Sequence, residues 1–194
     1  MIKYLVFVGA IIDLIGTGFY IKSMLKGKTR PNRVTWLMWS VSPLIAAFAA
    51  LSAGAALAAV PILVTGFASL LVFIISLLKK EAYWKINEFD WICGALSVLA
   101  LILWYITKDP IIAIVFSILS DFFAMLPTLI KSWKHPETES TSVYLASLLS
   151  SLTSFAAVKT LNFASVGFPS YLIITNIIII FFIKRRYWIK RENK

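Results

Sequence analysis

The sequence predicts an all-α integral membrane protein: seven transmembrane helices, grouped as two parallel three-helix bundles joined by a linker helix. Three observations predict it. Of 194 residues, 60% are hydrophobic and 14% charged, with a mean hydropathy of +0.86, far above soluble domains. The apolar residues fall into seven runs near the length of about 20 that a bilayer demands of a helix. Finally, the stretch 120–142, which carries Asp121 and Pro127 inside an apolar run and leaves it through Lys131-Ser132, has a weaker echo about 109 residues upstream.

The runs lie near 2–22, 34–53, 55–78, 91–107, 110–132, 142–160 and 164–184. The first begins almost at Met1, contains Asp13, lacks a small-residue cleavage site and is followed, not preceded, by its strong positive cluster. It is therefore expected to remain as a first helix and not to act as a removable signal. The second and third runs are separated only by Ser52-Ala53-Gly54, and a turn is required there. Ala46, Ala47, Ala49, Ala50, Ala53 and Gly54 make the second run small enough for neighbouring backbones to approach closely. The sixth is rich in hydroxyls, with Ser147, Ser150, Ser151, Thr153 and Ser154 on more than one face. The expected units are 1–79, a first bundle; 80–108, an inner loop and linker helix; and 109–194, a second bundle with a basic tail.

Charge sets the expected orientation. In a soluble chain the net charge of +10 would point to nucleic acid; here the basic residues sit between and after the apolar runs, so membrane topology accounts for them and no nucleic-acid partner is expected. With the N-terminus outside, Lys22, Lys26, Lys28, Arg30, Arg33, Lys79, Lys80, Lys85, Lys131, Lys134, Lys184, Arg185, Arg186, Lys190, Arg191 and Lys194 fall inside, and only Lys3, Lys108 and Lys159 outside. Trp36, Trp84, Trp91, Trp133 and Trp188 then lie near inner helix ends, and Trp104 with Tyr105 near an outer one, in the headgroup zone that amphipathic rings favour. Trp39, one turn deeper than Trp36, falls outside that belt.

Cys93, the single cysteine, has no partner for a disulfide, and His135, the single histidine, stands in a charged turn without a ligand at metal-binding spacing. No metal site or cofactor is expected. Neither is a catalytic centre, because no nucleophile and base stand together.

The repeat aligns Ile21-Lys22-Ser23 with Ile130-Lys131-Ser132, Thr29 with Thr138, Val34 with Val143, Ser42 with Ser151 and Ala47 with Ala156, while Asp13 falls one place out of register with Asp121. Repeats of this kind build many carriers. Each half supplies three helices, and the spare fourth span makes the halves parallel, since an odd bundle joined directly to another would invert it.

This arrangement resembles the SWEET and PQ-loop superfamily, which includes sugar carriers, the lysosomal cystine carrier cystinosin and nicotinamide riboside transporters. Leu126-Pro127-Thr128-Leu129-Ile130-Lys131-Ser132 followed by Glu139-Ser140-Thr141-Ser142 is similar to the family's Pro-Gln, Lys-Ser and Ser pattern. Thr128 replaces the Gln, and Phe19-Tyr20 stands where the first half would carry Pro-Gln. The resemblance implies a small-solute carrier in a membrane, here the bacterial cytoplasmic (inner) membrane, working by alternating access. In the cystinosin-like branch an Asp on the corresponding helix couples proton and substrate movement, and Asp121 matches that position. Asn176 resembles the pocket Asn that SWEET carriers place on their last helix.

From the residues themselves, Asp13 and Asp121 are the only acids inside apolar runs, at a cost of about 2.5–3.5 kcal/mol each on insertion scales, so both are expected to face the bundle interior and are candidates for proton coupling. Hydrogen bonding between helices would serve equally as a purely structural role. The third span has no Asn, so Thr65 and Ser69 are its nearest polar candidates; Ser151 and Trp39 complete the expected substrate contacts. Trp39 and Asn176 would suit a ring-shaped polar solute such as a sugar, a nucleoside or vitamin, or an amino-acid-like molecule. Pro127 and Pro43, with Pro61 and Pro169, interrupt backbone bonding and are candidate hinges. With Thr128 in place of Gln and no proline at the position of the first repeat that matches Pro127, the halves are expected to move unequally, about Pro127 first. Partners are a small-molecule cargo and the bilayer, with association between copies left open; the alternative is a non-transporting seven-helix scaffold or receptor-like sensor.

Overall fold

The computed structural model describes residues 2–79, 84–107 and 109–192, the side chains of 104 and 186–192 excepted. The expectations for Lys80, Trp104, Lys108, Arg186, Trp188, Lys190, Arg191 and Lys194 lie outside that description. The described chain forms helices α1 (Leu5–Leu25), α2 (Arg33–Ser52), α3 (Val60–Leu78), α4 (Glu88–Thr107), α5 (Pro110–Lys134), α6 (Thr141–Ser154) and α7 (Phe163–Glu192), with short 3-10 turns between or before some of them and no strand among the described residues. Six of these are long and apolar enough to cross a membrane. Their outward faces carry exposed large apolar side chains, such as Phe7, Ile11 and Ile15 on α1 and Ile92, Leu99 and Ile102 on α4. The interior holds Asp, Ser, Thr and Asn. An apolar outer surface around an interior that holds these polar groups beside its apolar clusters is the build of an integral membrane protein.

Local chemistry sets the helix ends. Asn32 caps α2 by accepting from the Thr35 amide at 3.2 Å. Asp109 caps α5 by accepting from Ile111 and Ile112, with Pro110 at the first turn, where it has no donor to lose. Asn87 and Asp90 cap α4 reciprocally, each side chain accepting from the other's amide, so α4 starts three residues earlier than its apolar run. The expected turn after α2 is present: Gly54 takes φ +86, and the Ala55 amide closes back on Ala50 at 2.8 Å.

The sixth run differs from expectation. It is helical for only 14 residues before a 3-10 turn at Phe155–Ala157, and Val158 is extended. At about 1.5 and 2.0 Å per residue that spans about 27 Å, just short of the hydrocarbon thickness of about 30 Å.

Six helices form a ring in the order α1, α3, α2, α5, α7, α6, which closes on α1; α4 packs outside it, on α5 and more lightly on α2. Two close seams hold the ring. Between α1 and α6, Gly9 and Gly16 leave no room for a Cβ, which would collide with Thr153 and with Ala146 respectively. Between α2 and α5, Thr35 donates to the Ala124 carbonyl at 2.7 Å, Thr128 donates to Thr35, and Ser42 pairs with Ser120.

The loops after α1, α3 and α5 gather at one end of the ring. The Arg30 amide donates to the Thr138 carbonyl, the Trp84 amide to Pro31, Arg33 to Ser76, and Arg185 to Trp133. Most of the described basic residues lie at this end, while exposed Lys159 lies at the other.

Two placements overturn expectations. Trp36 is not in a headgroup belt: it is 2% exposed, packed against Tyr20 and Trp39, because the loop end folds over the first turn of α2. Lys131, expected as an interfacial charge, is buried in an ion pair with Glu139. Trp91 and Trp133 are exposed as expected, and Cys93 is a buried free thiol.

Candidate functional site

Each of the six ring helices contributes its middle to one cavity. Asp13 and Thr17 come from α1, Trp39 and Pro43 from α2, Thr65 and Ser69 from α3, Asp121 from α5, Ser147 from α6, and Thr175 and Asn176 from α7. Apolar clusters close both ends. At the basic end Tyr20, Trp36, Val72, Met125, Val143, Tyr144, Ile179 and Ile183 pack together; at the other, the alanines of α2 meet Ile62, Ala113, Ile114, Phe168 and Leu172. Trp36, Val143, Tyr144 and Ile179 form one wall of the cavity and Leu172 borders the opposite one. The cavity volume is about 40 Å³, well below the range of about 300–1,000 Å³ usual for occupied small-molecule sites, so a cargo would enter only as the helices part. It is a slot and not an open chamber.

The two acids are held alike. Asp13, 1% exposed, accepts from the Thr65 hydroxyl at 2.6 Å; Asp121, 3% exposed, accepts from the Tyr171 hydroxyl at 2.9 Å. In each case an acid at the middle of a helix is met by a hydroxyl from the helix two further along the chain. Asp121 Oδ1 has no hydrogen-bond partner, and the Trp39 indole N–H faces that carboxyl without meeting it in good geometry. Burying such atoms unpaired is costly. Asn176 donates from Nδ2 to Ser147 at 3.2 Å and to the Leu172 carbonyl at 2.7 Å.

Of the sequence-predicted residues, Asp13, Asp121, Asn176, Trp39, Thr65, Ser69 and Pro43 all border this cavity. Ser151 does not: it shares the face of Ser147 but lies one turn further along α6, buried beyond the stretch from Val143 to Ser147 that lines the slot. Pro127 borders a different hollow, with Trp84, Asp90, Lys131 and His135. Both α2 and α5 run unbroken through their prolines.

Sequence reasoning missed Tyr171, Tyr144 and Thr175 and named Ser147 only among the hydroxyls of the sixth run, since tyrosines and hydroxyls near helix middles carry no signal of the face they take. It also missed the polar lock beneath the cavity. There Glu139 pairs with Lys131, accepts from Tyr20 at 3.1 Å and from Tyr144 at 3.3 Å, and Lys131 also donates to the Arg30 carbonyl. Tyr20 and Arg30 lie early in the chain and Lys131, Glu139 and Tyr144 late, so the lock ties the two parts together at the basic end. No group of His, Cys, Asp or Glu able to hold a metal occurs among the described residues.

No family model matches the chain, and no curated protein and no solved structure is significantly similar to it.

Proposed function

We propose that this chain is a small-solute carrier of the SWEET and PQ-loop type, working by alternating access, and not an enzyme. The observation that carries the reading is the slot itself: two buried carboxyls and neutral polar groups at mid-depth, closed at both ends by apolar clusters. An integral membrane protein does not bury two acids at about 2.5–3.5 kcal/mol each without a compensating role. A dry, fully apolar interface would have favoured a scaffold.

The grouping is 3+1+3: α1–α3 form one bundle, α5–α7 the other, and α4 is the linker. The matched Asp13–Thr65 and Asp121–Tyr171 pairs support the repeat, as do the two seams, in which the first helix of each half packs on the second helix of the other. The gathering of basic loops at one end supports an N-terminus outside and a cytoplasmic C-terminus; the bacterial inner membrane rests on the resemblance alone. Closure at both ends corresponds to an occluded state. Opening toward the cytoplasm would part Tyr20 from Glu139; opening outward would part the alanines of α2 from α5 and α7.

Coupling to protons falls to Asp121, whose neighbours with titratable groups are Tyr171 from α7 and, across the slot, Asp13 from α1 and Tyr144 from α6. The test is flux into liposomes holding the purified full chain under an imposed pH gradient, with a panel of sugars, nucleosides, amino acids and small primary amines, benzylammonium among them. At least one solute should enter saturably, and Asp121→Asn should make its flux indifferent to the gradient. No flux above empty liposomes for any solute overturns the carrier reading; an unchanged pH profile in Asp121→Asn overturns the coupling.

A further inference from the structure

Among the described residues, the slot is lined by two carboxyls and by no basic group. Asp13 and Asp121 border it; no Lys, Arg or His does, and Lys131, the nearest buried base in the chain order, is committed to Glu139 and the Arg30 carbonyl. In a region of low dielectric, such a charge imbalance is a strong selector between cations and anions.

The open hydrogen-bonding positions point the same way. The hydroxyl protons of Thr65 and Tyr171 are spent on the aspartates, that of Thr175 on the Tyr171 and Leu172 carbonyls of its own helix, and the Asn176 amide on Ser147 and Leu172. The Trp36 and Trp39 indole N–H groups and the Thr17 hydroxyl are left without a partner at the slot, and the positions open on its charged groups are both acceptors: Asp121 Oδ1, buried and unpartnered, and the second oxygen of Asp13. An alkylammonium group is all donor and no acceptor, and so is complementary to those charged positions. The remaining walls are organic in character. Trp39 stands edge to face with Trp36 at 5.4 Å and with Tyr144 at 6.1 Å, and Val143, Leu172 and Ile179 add aliphatic surface. A bare metal ion would use none of that surface; a cation with an apolar or aromatic body would use all of it.

We infer that the slot binds a small organic cation, its ammonium head at Asp121 with Asp13 adding a second negative charge, and its body against Trp39. The inference rests on reading the slot as the cargo site, and it specifies the charge of the cargo.

The experiment uses the purified full chain in detergent, in potassium buffer, and follows its thermal unfolding with three probes that share one ring and differ in charge: benzylammonium chloride, benzyl alcohol and potassium benzoate. Sodium chloride is the fourth arm. Benzylammonium should raise the unfolding temperature saturably, with benzyl alcohol and benzoate giving no saturable rise. Asp121→Asn should weaken the apparent affinity by about tenfold or more, and Asp13→Asn, which leaves the open carboxylate in place, should weaken it less. The inference is overturned if the alcohol or benzoate stabilises as well as the cation, if sodium alone stabilises, if no probe does, or if both variants respond like the parent protein. Binding is read here without flux. A carrier of neutral solutes would therefore fail this test and pass the liposome test, and a non-transporting cation-binding protein would do the reverse.

Discussion

Glu139 is the residue whose removal the structure predicts will be felt most. It is buried, it carries the ion pair with Lys131, and it accepts from Tyr20 and Tyr144. Removing one partner of a buried pair leaves the other charge uncompensated, at about 3–5 kcal/mol, whereas replacing both by neutral groups of similar size is near neutral. Glu139→Gln alone should therefore lower the unfolding temperature in detergent strongly, and Lys131→Met combined with it should restore most of the loss. A double variant as unstable as the single one would show that the tyrosine contacts and not the charge pair carry the stability. The sequence hinted at only part of this. Asp13 and Asp121 are legible because a charge inside an apolar run has no cheap place but the interior. Lys131 is not, because a lysine at the end of a span reads as interfacial until the 135–140 loop is seen to fold over it.

At the scale of elements, α1 and α6 approach too closely for a side chain at Gly16, where an added Cβ would meet Ala146 and the Ser142 carbonyl; Gly18, two residues on, faces open space. Gly16→Ala should cost about 1–3 kcal/mol through overpacking, and Gly18→Ala should gain up to about 0.5–1 kcal/mol through helix propensity. Thermal unfolding of the two variants side by side checks the pair, and equal effects would contradict the seam. Helix existence was legible for all seven elements, because a run of about 20 apolar residues has one way to satisfy its backbone in lipid. The length of α6 was not. Its apolar residues continue past Ala157, but the chain tightens to 3-10 at Phe155 and becomes extended at Val158, an ending that no proline or glycine announces.

For the whole molecule, the orientation we propose puts the basic loops in the cytoplasm. With Cys93 replaced by serine, Lys159→Cys should react with a membrane-impermeant maleimide added to intact cells, and Lys28→Cys only after the membrane is opened. The reverse pattern would invert the topology and, with it, the assignment of the Glu139 lock to the cytoplasmic mouth. The hydroxyl seam between α2 and α5, reinforced by Ser97 of α4 donating to the Ser120 carbonyl at 2.8 Å, joins the halves along one side, and the Gly9 and Gly16 seam along the other. Thr128, where the family pattern has Gln, is one of the bonds in the first seam.

The sequence by itself determined the class of the molecule, the place and number of the helices, the two intramembrane acids and the end at which positive charge collects. Each of these follows from the cost of putting polar groups in lipid, which is counted residue by residue along the chain. Only the tertiary structure decided what those acids face. That Asp13 meets Thr65 and Asp121 meets Tyr171, that Asn176 and Trp39 join them, and that Trp36 and Lys131 are interior, depends on which face of each helix turns inward; that Ser151 stays out depends on its depth along α6. That choice is made by packing between segments far apart in sequence, and an apolar run that is hydrophobic on every side leaves it unstated.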